Sequence, residues 1–255
     1  ALDLESCKNA TVTNCNFDTG DDGITIKSGR DESGRKRAMP TQDVIVNNCT
    51  VYRSHGGFVV GSEMSSGVKN MFVSNCTFIG SDIGLRFKTT RGRGGTVENI
   101  YVNNINMKDI VAEAVLFDMY YAAKDPVALA GEKREPPVVE FKPVDETTPQ
   151  FKNFYFRNIT CNGAAKGIFV RGIPEMHVEN VLIENAVLQA ADGIDIQEAS
   201  NINLNNITMM SRNTNPVAYI LNSDHINISN LKYADSADVL LQVQGNRSKD
   251  IMVLN

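Results

Sequence analysis

The sequence predicts an all-β protein, a right-handed parallel β-helix built as a single solenoid domain over residues 1–255. Three observations carry that prediction. A hexamer of the form Asn/Asp-apolar-x-apolar-x-Asn recurs along the chain, a shorter apolar run opening on Gly recurs with it, and every run alternates with period two. No stretch shows a convincing period of 3.6.

The hexamers begin at Asn9–Asn14 and continue through Asp43–Asn48, Asn70–Asn75 and Asn99–Asn104. Later copies are Asn153–Asn158, Asn180–Asn185, Asn201–Asn206, His225–Asn230 and Asp250–Asn255. Successive copies lie 21 residues (Asn180 to Asn201) to 34 residues (Asn14 to Asn48) apart, with one gap of 54 between Asn104 and Asn158. The companion runs are Gly23–Ile26, Gly57–Val60, Gly84–Phe87, Gly167–Val170 and Gly193–Ile196. Short strands this close together, with no helices between them, exclude a βαβ sheet. They leave a solenoid whose coils bury their apolar faces against their neighbours, right-handed because parallel connections are.

The closing Asn of each hexamer suits a left-handed turn conformation, and stacked coil on coil these side chains make a hydrogen-bonded ladder. Asn48-Cys49-Thr50, Asn75-Cys76-Thr77, Asn158-Ile159-Thr160 and Asn206-Ile207-Thr208 match the glycosylation pattern. Each falls on the ladder position, so the turn accounts for them. Cys15, Cys49 and Cys76 each follow an Asn at one repeat position, which argues for inward-facing thiols. No Cys or His pair has metal-ligand spacing.

With 255 residues, a net charge of −5 and a pI near 5.3, the chain has neither the basic surface nucleic acid demands nor a face for anionic membranes. Its apolar runs are strand-sized, far short of the ~20 residues of a membrane span. A monomer is expected. Between residues 121 and 150 the repeat lapses. With Tyr120 included, this segment holds Pro126, Pro136, Pro137, Pro143 and Pro149, five of the eight prolines. It reads as a long Pro-rich loop inserted on the groove side. Polar coil caps are absent at both ends, which reads as truncation at the N-terminus and at the C-terminus.

Asp21 and Asp22 sit at a coil corner, His55 holds the matching position one coil later, and Arg86 and Lys88 lie on the matching strand after that. Being two residues apart, Arg86 and Lys88 point to one face. At ~4.8 Å per coil the three positions fall within roughly 10–15 Å. Two carboxylates, an imidazole and two cations make a set suited to hydrolysing a glycosidic bond beside an acidic sugar.

Thr19-Gly20-Asp21-Asp22, His55-Gly56 and Arg86-Phe87-Lys88 resemble three signature motifs of the polygalacturonases, glycoside hydrolase family 28. Ile24–Gly29, Gly61-Ser62-Glu63 and Gly84–Thr89 resemble its bacterial branch. The resemblance implies a right-handed parallel β-helix that hydrolyses α-1,4 galacturonosyl linkages of pectin-type polysaccharides with inversion, with no cofactor and no metal. It makes Asp21 the general acid, its pKa raised by the adjacent carboxylate, and Asp22 a group that helps activate water. His55 tunes the acid, and Arg86 and Lys88 clamp a uronate carboxylate. Tyr120, in Phe117-Asp118-Met119-Tyr120, resembles a sugar-contacting tyrosine.

The substrate implied is an acidic polysaccharide or oligogalacturonide, and the location secreted or periplasmic. Phe87 replaces the family's usual Ile and faces the core. The family's Asn-Thr-Asp motif is missing and belongs just upstream of Ala1, so the chain as given is expected to be catalytically impaired. Arg91-Gly92-Arg93 is expected to extend a basic groove. The alternatives are a rhamnogalacturonan or xylogalacturonan hydrolase, a lyase on the same fold, and a non-catalytic polysaccharide-binding β-helix.

Overall fold

The structure, a computed structural model, describes residues 1–121 and 139–254. It is a parallel β-helix. One sheet has nine strands in spatial order along the chain, among them Leu2–Glu5, Ile24–Lys27, Phe58–Gly61, Leu85–Lys88, Glu113–Asp118 and Lys166–Arg171. The second sheet has eleven, dominated by long strands such as Val68–Ile79, Thr96–Lys108, Gln150–Asn162, Val178–Ala190 and Ala199–Ser211. Each repeat adds a short strand to one sheet and a long one to the other, and the core fills the space between.

The long strands explain the hexamer. In Val68–Ile79 the buried residues are Val68, Met71, Val73, Cys76 and Phe78, at steps of 3, 2, 3 and 2. Period-two alternation is broken at Asn70 and Asn75, whose φ values of 58° and 55° are left-handed. Each such residue bends the strand and turns the next side chain inward. Both the opening and the closing Asn of the hexamer do this, not the closing one alone. The bends stack into two side-chain ladders. Asn70, Asn99, Asn153, Asn180 and Asn201 each donate to the residue one coil earlier at 2.7–3.3 Å. Asn48, Asn104 and Asn206 do the same at 2.7–2.8 Å, while Asn75 donates at 2.8 Å to Asn47, one position before its counterpart Asn48.

Phe87 is fully buried, with ring centroids 4.8 Å from Phe117, 5.0 Å from Phe154 and 5.6 Å from Phe156. Burial of each such side chain contributes roughly 1.5–3 kcal/mol. Cys49, Cys76 and Cys161 are buried free thiols, and desolvation pushes the Cys76 thiol up to about 11.

One element has no counterpart in the sequence reading. Asp31–Arg37 is a seven-residue helix inserted after the Ile24–Lys27 strand. It has no apolar stripe because only Gly34 is buried. Asp31 and Glu32 in its first turn and Arg35, Lys36 and Arg37 in its last match the helix dipole. The Glu32–Lys36 pair spans one turn. Of the Pro-rich insertion, residues 122–138, including Pro126, Pro136 and Pro137, lie outside the described residues. The chain at Thr147, near the end of the insertion, docks on the 91–94 loop, where Gly92 and Gly94 donate backbone N–H to the Thr147 carbonyl at 3.1 and 2.9 Å.

Candidate active site

Three successive coil corners stack through their backbones. The His55 N–H donates to the Asp21 carbonyl at 3.1 Å, Gly23 N–H to the Gly56 carbonyl at 2.8 Å, and Asp82 N–H to the Ser54 carbonyl at 2.8 Å. The strands leaving these corners pair in register, Thr25 with Val59 and Val59 with Arg86, while Gly61 pairs with Lys88. Chain alternation then sends Leu85 and Phe87 into the core and Arg86 and Lys88 to the opposite face.

There the two cations meet Asp22. Arg86 Nη1 donates to Asp22 Oδ1 at 3.2 Å and Lys88 Nζ to Asp22 Oδ2 at 2.6 Å. The three residues are only 7%, 6% and 7% exposed for Asp22, Arg86 and Lys88 respectively, so the pairing is needed to compensate buried charge. Burial foremost, and then the Arg86 charge, push the Lys88 ammonium below its usual value, against the pull of Asp22 and Asp21. Arg86 also reaches the His55 carbonyl at 3.3 Å, while its Nε has no partner. The Tyr121 ring lies 5.0 Å from Lys88 Nζ and 5.6 Å from Arg86 Cζ. Only glycine fits at 56, since a Cβ there would lie 2.4 Å from Val59 Cγ2 and 3.3 Å from both Asp22 Oδ1 and Arg86 Cδ.

Asp21 is exposed, and its Oδ1 accepts the Asp22 backbone N–H at 2.6 Å. That bond holds its carboxyl below the usual range; burial opposes it, and the charges of His55, Lys88 and Lys27 add to the lowering. The expected upward push from the neighbouring carboxylate is absent. Asp22 already faces two cations, so its charge does not repel a second carboxylate. The His55 imidazole has a second carboxylate beside it: Nδ1 lies 2.6 Å from Asp82 Oδ2.

Tyr120 is not at this site. Its backbone N–H donates to Asp118 Oδ1 at 3.0 Å, and its ring packs between Arg91 and Arg171, 5.4 and 5.5 Å from their guanidinium carbons. The chain then turns back, with Tyr121 N–H donating to the Thr89 carbonyl at 3.0 Å, and this brings Tyr121 rather than Tyr120 over the cations. Arg91 and Arg93 do not form a free basic wall. Arg91 is bound to Glu175 through Nε and Nη2 at 2.5 and 2.8 Å, and Arg93 to Asp31 at 2.5 Å and the Ser62 carbonyl at 3.1 Å. Both staple loops together. Asp3 lies along the same sheet but pairs with Lys27 at 2.8 Å. Among the described residues no three His, Cys, Asp or Glu side chains are grouped to hold a metal ion, and no helix is long and apolar enough to cross a membrane.

Two residues at the site, Tyr121 and Asp82, escape the sequence reading. Tyr121 is displaced by one position from the tyrosine the motif favours. Asp82 is visible only once coil register places it beside His55.

Residues 1–162 match the family described as glycosyl hydrolases family 28. A probable polygalacturonase of Vitis vinifera is 36% identical over 108 residues, 42% of this chain and 22% of that protein. An exo-poly-alpha-D-galacturonosidase of Dickeya chrysanthemi is 24% identical over 212 residues, 81% of this chain and 33% of that one. Among solved structures, a hyperthermoactive exopolygalacturonase from Thermotoga maritima superposes with a TM-score of 0.64 at 28% identity, over 80% of this chain and 43% of its own. A family 28 exopolygalacturonase of Yersinia enterocolitica shares the fold over 99% of this chain and 38% of its own, with a TM-score of 0.65 at 19% identity. The chain spans less than half the length of each of these proteins.

Proposed function

The chain belongs to glycosyl hydrolases family 28, and on that premise we propose that it is a polygalacturonase-like hydrolase cleaving α-1,4 galacturonosyl linkages of pectin-type polysaccharides with inversion. The observation that carries the reading is the pairing of one buried carboxylate, Asp22, with Arg86 and Lys88 directly beside an exposed carboxylate, Asp21.

The two carboxylates are fitted to different tasks. Asp22, as the counter-ion of two buried cations, offers its carboxylate oxygens as acceptors, and each keeps a second lone-pair site for the attacking water. Asp21 has one oxygen held by the Asp22 N–H and is open to solvent, so its carboxyl reaches an incoming glycosidic oxygen. In the free protein Asp21 is held ionised. Its acid role therefore requires the bound sugar to displace water and bring its own carboxylate, both of which raise a carboxyl's proton affinity. Lys88 uses one of its three donors on Asp22 and so retains donors for a uronate carboxylate, with the Arg86 guanidinium adding charge beside it.

Of the Pro-rich insertion, the described residues 139–150 border the groove in this reading, supported by the docking of Thr147 on the loop that follows the Arg86–Lys88 strand. The protein acts outside the cytoplasm, secreted or periplasmic, on an acidic polysaccharide or oligogalacturonide. Incubation of the full protein with polygalacturonate tests the proposal. Reducing ends should appear, and proton NMR should detect the β-anomer first. Products that absorb in the ultraviolet through an unsaturated ring would instead identify a lyase, and first release of the α-anomer would overturn inversion.

A further inference from the structure

We propose that Asp82 is a positioning residue that fixes the ring orientation and tautomer of His55; the proposal rests on the catalytic reading of Asp21 and His55 above. The His55 side chain is 47% exposed, so packing alone does not hold its ring, whereas the Asp82 side chain is 19% exposed. The Asp82 backbone is held on both sides, by its N–H to the Ser54 carbonyl at 2.8 Å and by the Ala112 N–H to its own carbonyl at 2.7 Å. The residues just before the pair are locked too, with Ser54 Oγ and Ser81 Oγ 2.8 Å apart and buried. A fixed carboxylate thus meets an exposed imidazole at 2.6 Å.

An ionised carboxylate can only accept. Nδ1 must therefore carry the proton of this bond, and Nε2 is left as the nitrogen that gains or loses one. His55 in turn lies one coil from Asp21, whose carbonyl accepts its backbone N–H at 3.1 Å, and its own carbonyl accepts from Arg86. The result is a carboxylate–imidazole–carboxylate series on three consecutive coils, Asp21, His55 and Asp82. Asp22, paired to Arg86 and Lys88, stands beside it. An outer carboxylate that holds an imidazole in one tautomer is the same physical device that orients histidines in other acid–base sites. The Ser81-Asp82 pair lies outside the motifs that carry the family resemblance.

The test compares Asp82→Ala, Asp82→Asn, His55→Ala and the double variant in the full protein, each checked for an unchanged thermal midpoint. Nitrogen-15 spectra of the His55 ring should show the Nδ1–H tautomer in the wild type and a shift toward Nε2–H in Asp82→Ala. The kcat of Asp82→Ala should fall roughly 10–100-fold with KM little changed, as outer-shell partners typically behave. Asp82→Asn keeps an oxygen that can accept from Nδ1–H, so it should retain the tautomer and recover part of the rate. In the His55→Ala background, Asp82→Ala should cost nothing further.

An unchanged tautomer in Asp82→Ala, or a loss that simply adds to that of His55→Ala, would overturn the proposal. Full activity of His55→Ala would instead sink the catalytic reading of His55, a separate result. An impaired His55→Ala beside an unimpaired Asp82→Ala would sink Asp82 alone.

Discussion

The two sheets are wound from the same coils, yet their outer faces obey different rules. On the long-strand sheet every coil repeats the last: left-handed Asn at fixed points, ladders donating in one direction, and Phe72, Tyr101 and Tyr155 stacked 5.2 Å apart on the surface. On the short-strand sheet the outward row through Thr25, Val59, Arg86, Leu116 and Phe169 repeats nothing. Its neighbouring row puts Lys88 beside Asp118 and Asp118 beside Arg171. Charges that could sit in water are buried there against one another. Regularity marks the face selected for winding, and its loss marks the face on which chemistry is assembled.

The strongest way to break that contrast is a change on the irregular face that removes chemistry and leaves winding alone. Asp21→Asn keeps an oxygen to accept the Asp22 N–H, so the corner should fold as before. Turnover on polygalacturonate should fall by roughly 10²–10⁴, the span expected for loss of a general acid. Steady-state kinetics with matched circular dichroism check this, and undiminished turnover would remove Asp21 from the mechanism.

Phe87 sits between Arg86 and Lys88 in sequence but on the other side of the strand. Phe87→Ala should therefore reverse the pattern, costing about 3–5 kcal/mol of stability through the cavity it opens among Phe117, Phe154 and Phe156. Denaturant unfolding measures it. A loss confined to KM with stability intact would show that the inward and outward sides of this strand are not separable. On the regular face the effect is smaller. Asn99→Ala removes ladder bonds to Asn70 and from Asn153 and puts alanine at a φ of 58°, together costing about 1–2 kcal/mol. Asn99→Gly keeps the backbone freedom and should cost less, so the order of the two midpoints separates turn from ladder.

The winding was legible in the sequence because it repeats: hexamers recurring along the chain announce strands, turns and core together. The helix at Asp31–Arg37 was not, because seven residues with one buried glycine carry no periodic signal. At the site, Asp21, Asp22, His55, Arg86 and Lys88 could be gathered by counting coils. Who pairs with whom could not, since Asp22 takes both cations only through their buried side-chain geometry. Tyr120 and Tyr121 are indistinguishable by type, and the backbone bond from Tyr121 to the Thr89 carbonyl is what brings Tyr121 over the cations. Arg91 and Arg93 look like free charge until Glu175, 84 residues downstream of Arg91, and Asp31 are folded against them.

The finest distinction between the two faces concerns one proton. A carboxyl held below its usual value when folded binds that proton at lower pH than the unfolded chain does. Asp21 therefore favours folding above the ordinary carboxylate range, and that contribution disappears as pH falls through its folded value. The stability difference between wild type and Asp21→Asn should accordingly shrink on acidification, with a small amplitude because the group faces solvent. The same shift sets a condition on the chemistry. Carbon-13 spectra of the Asp21 carboxyl should show it titrating below the ordinary aspartate range in the free protein. With a sulfur-linked galacturonate oligomer bound, the midpoint should move upward, because desolvation and the ligand's carboxylates both disfavour the ionised form. If the midpoint stayed low with ligand bound, Asp21 could not carry the proton to the leaving oxygen. The acid would then have to be sought elsewhere on the irregular face.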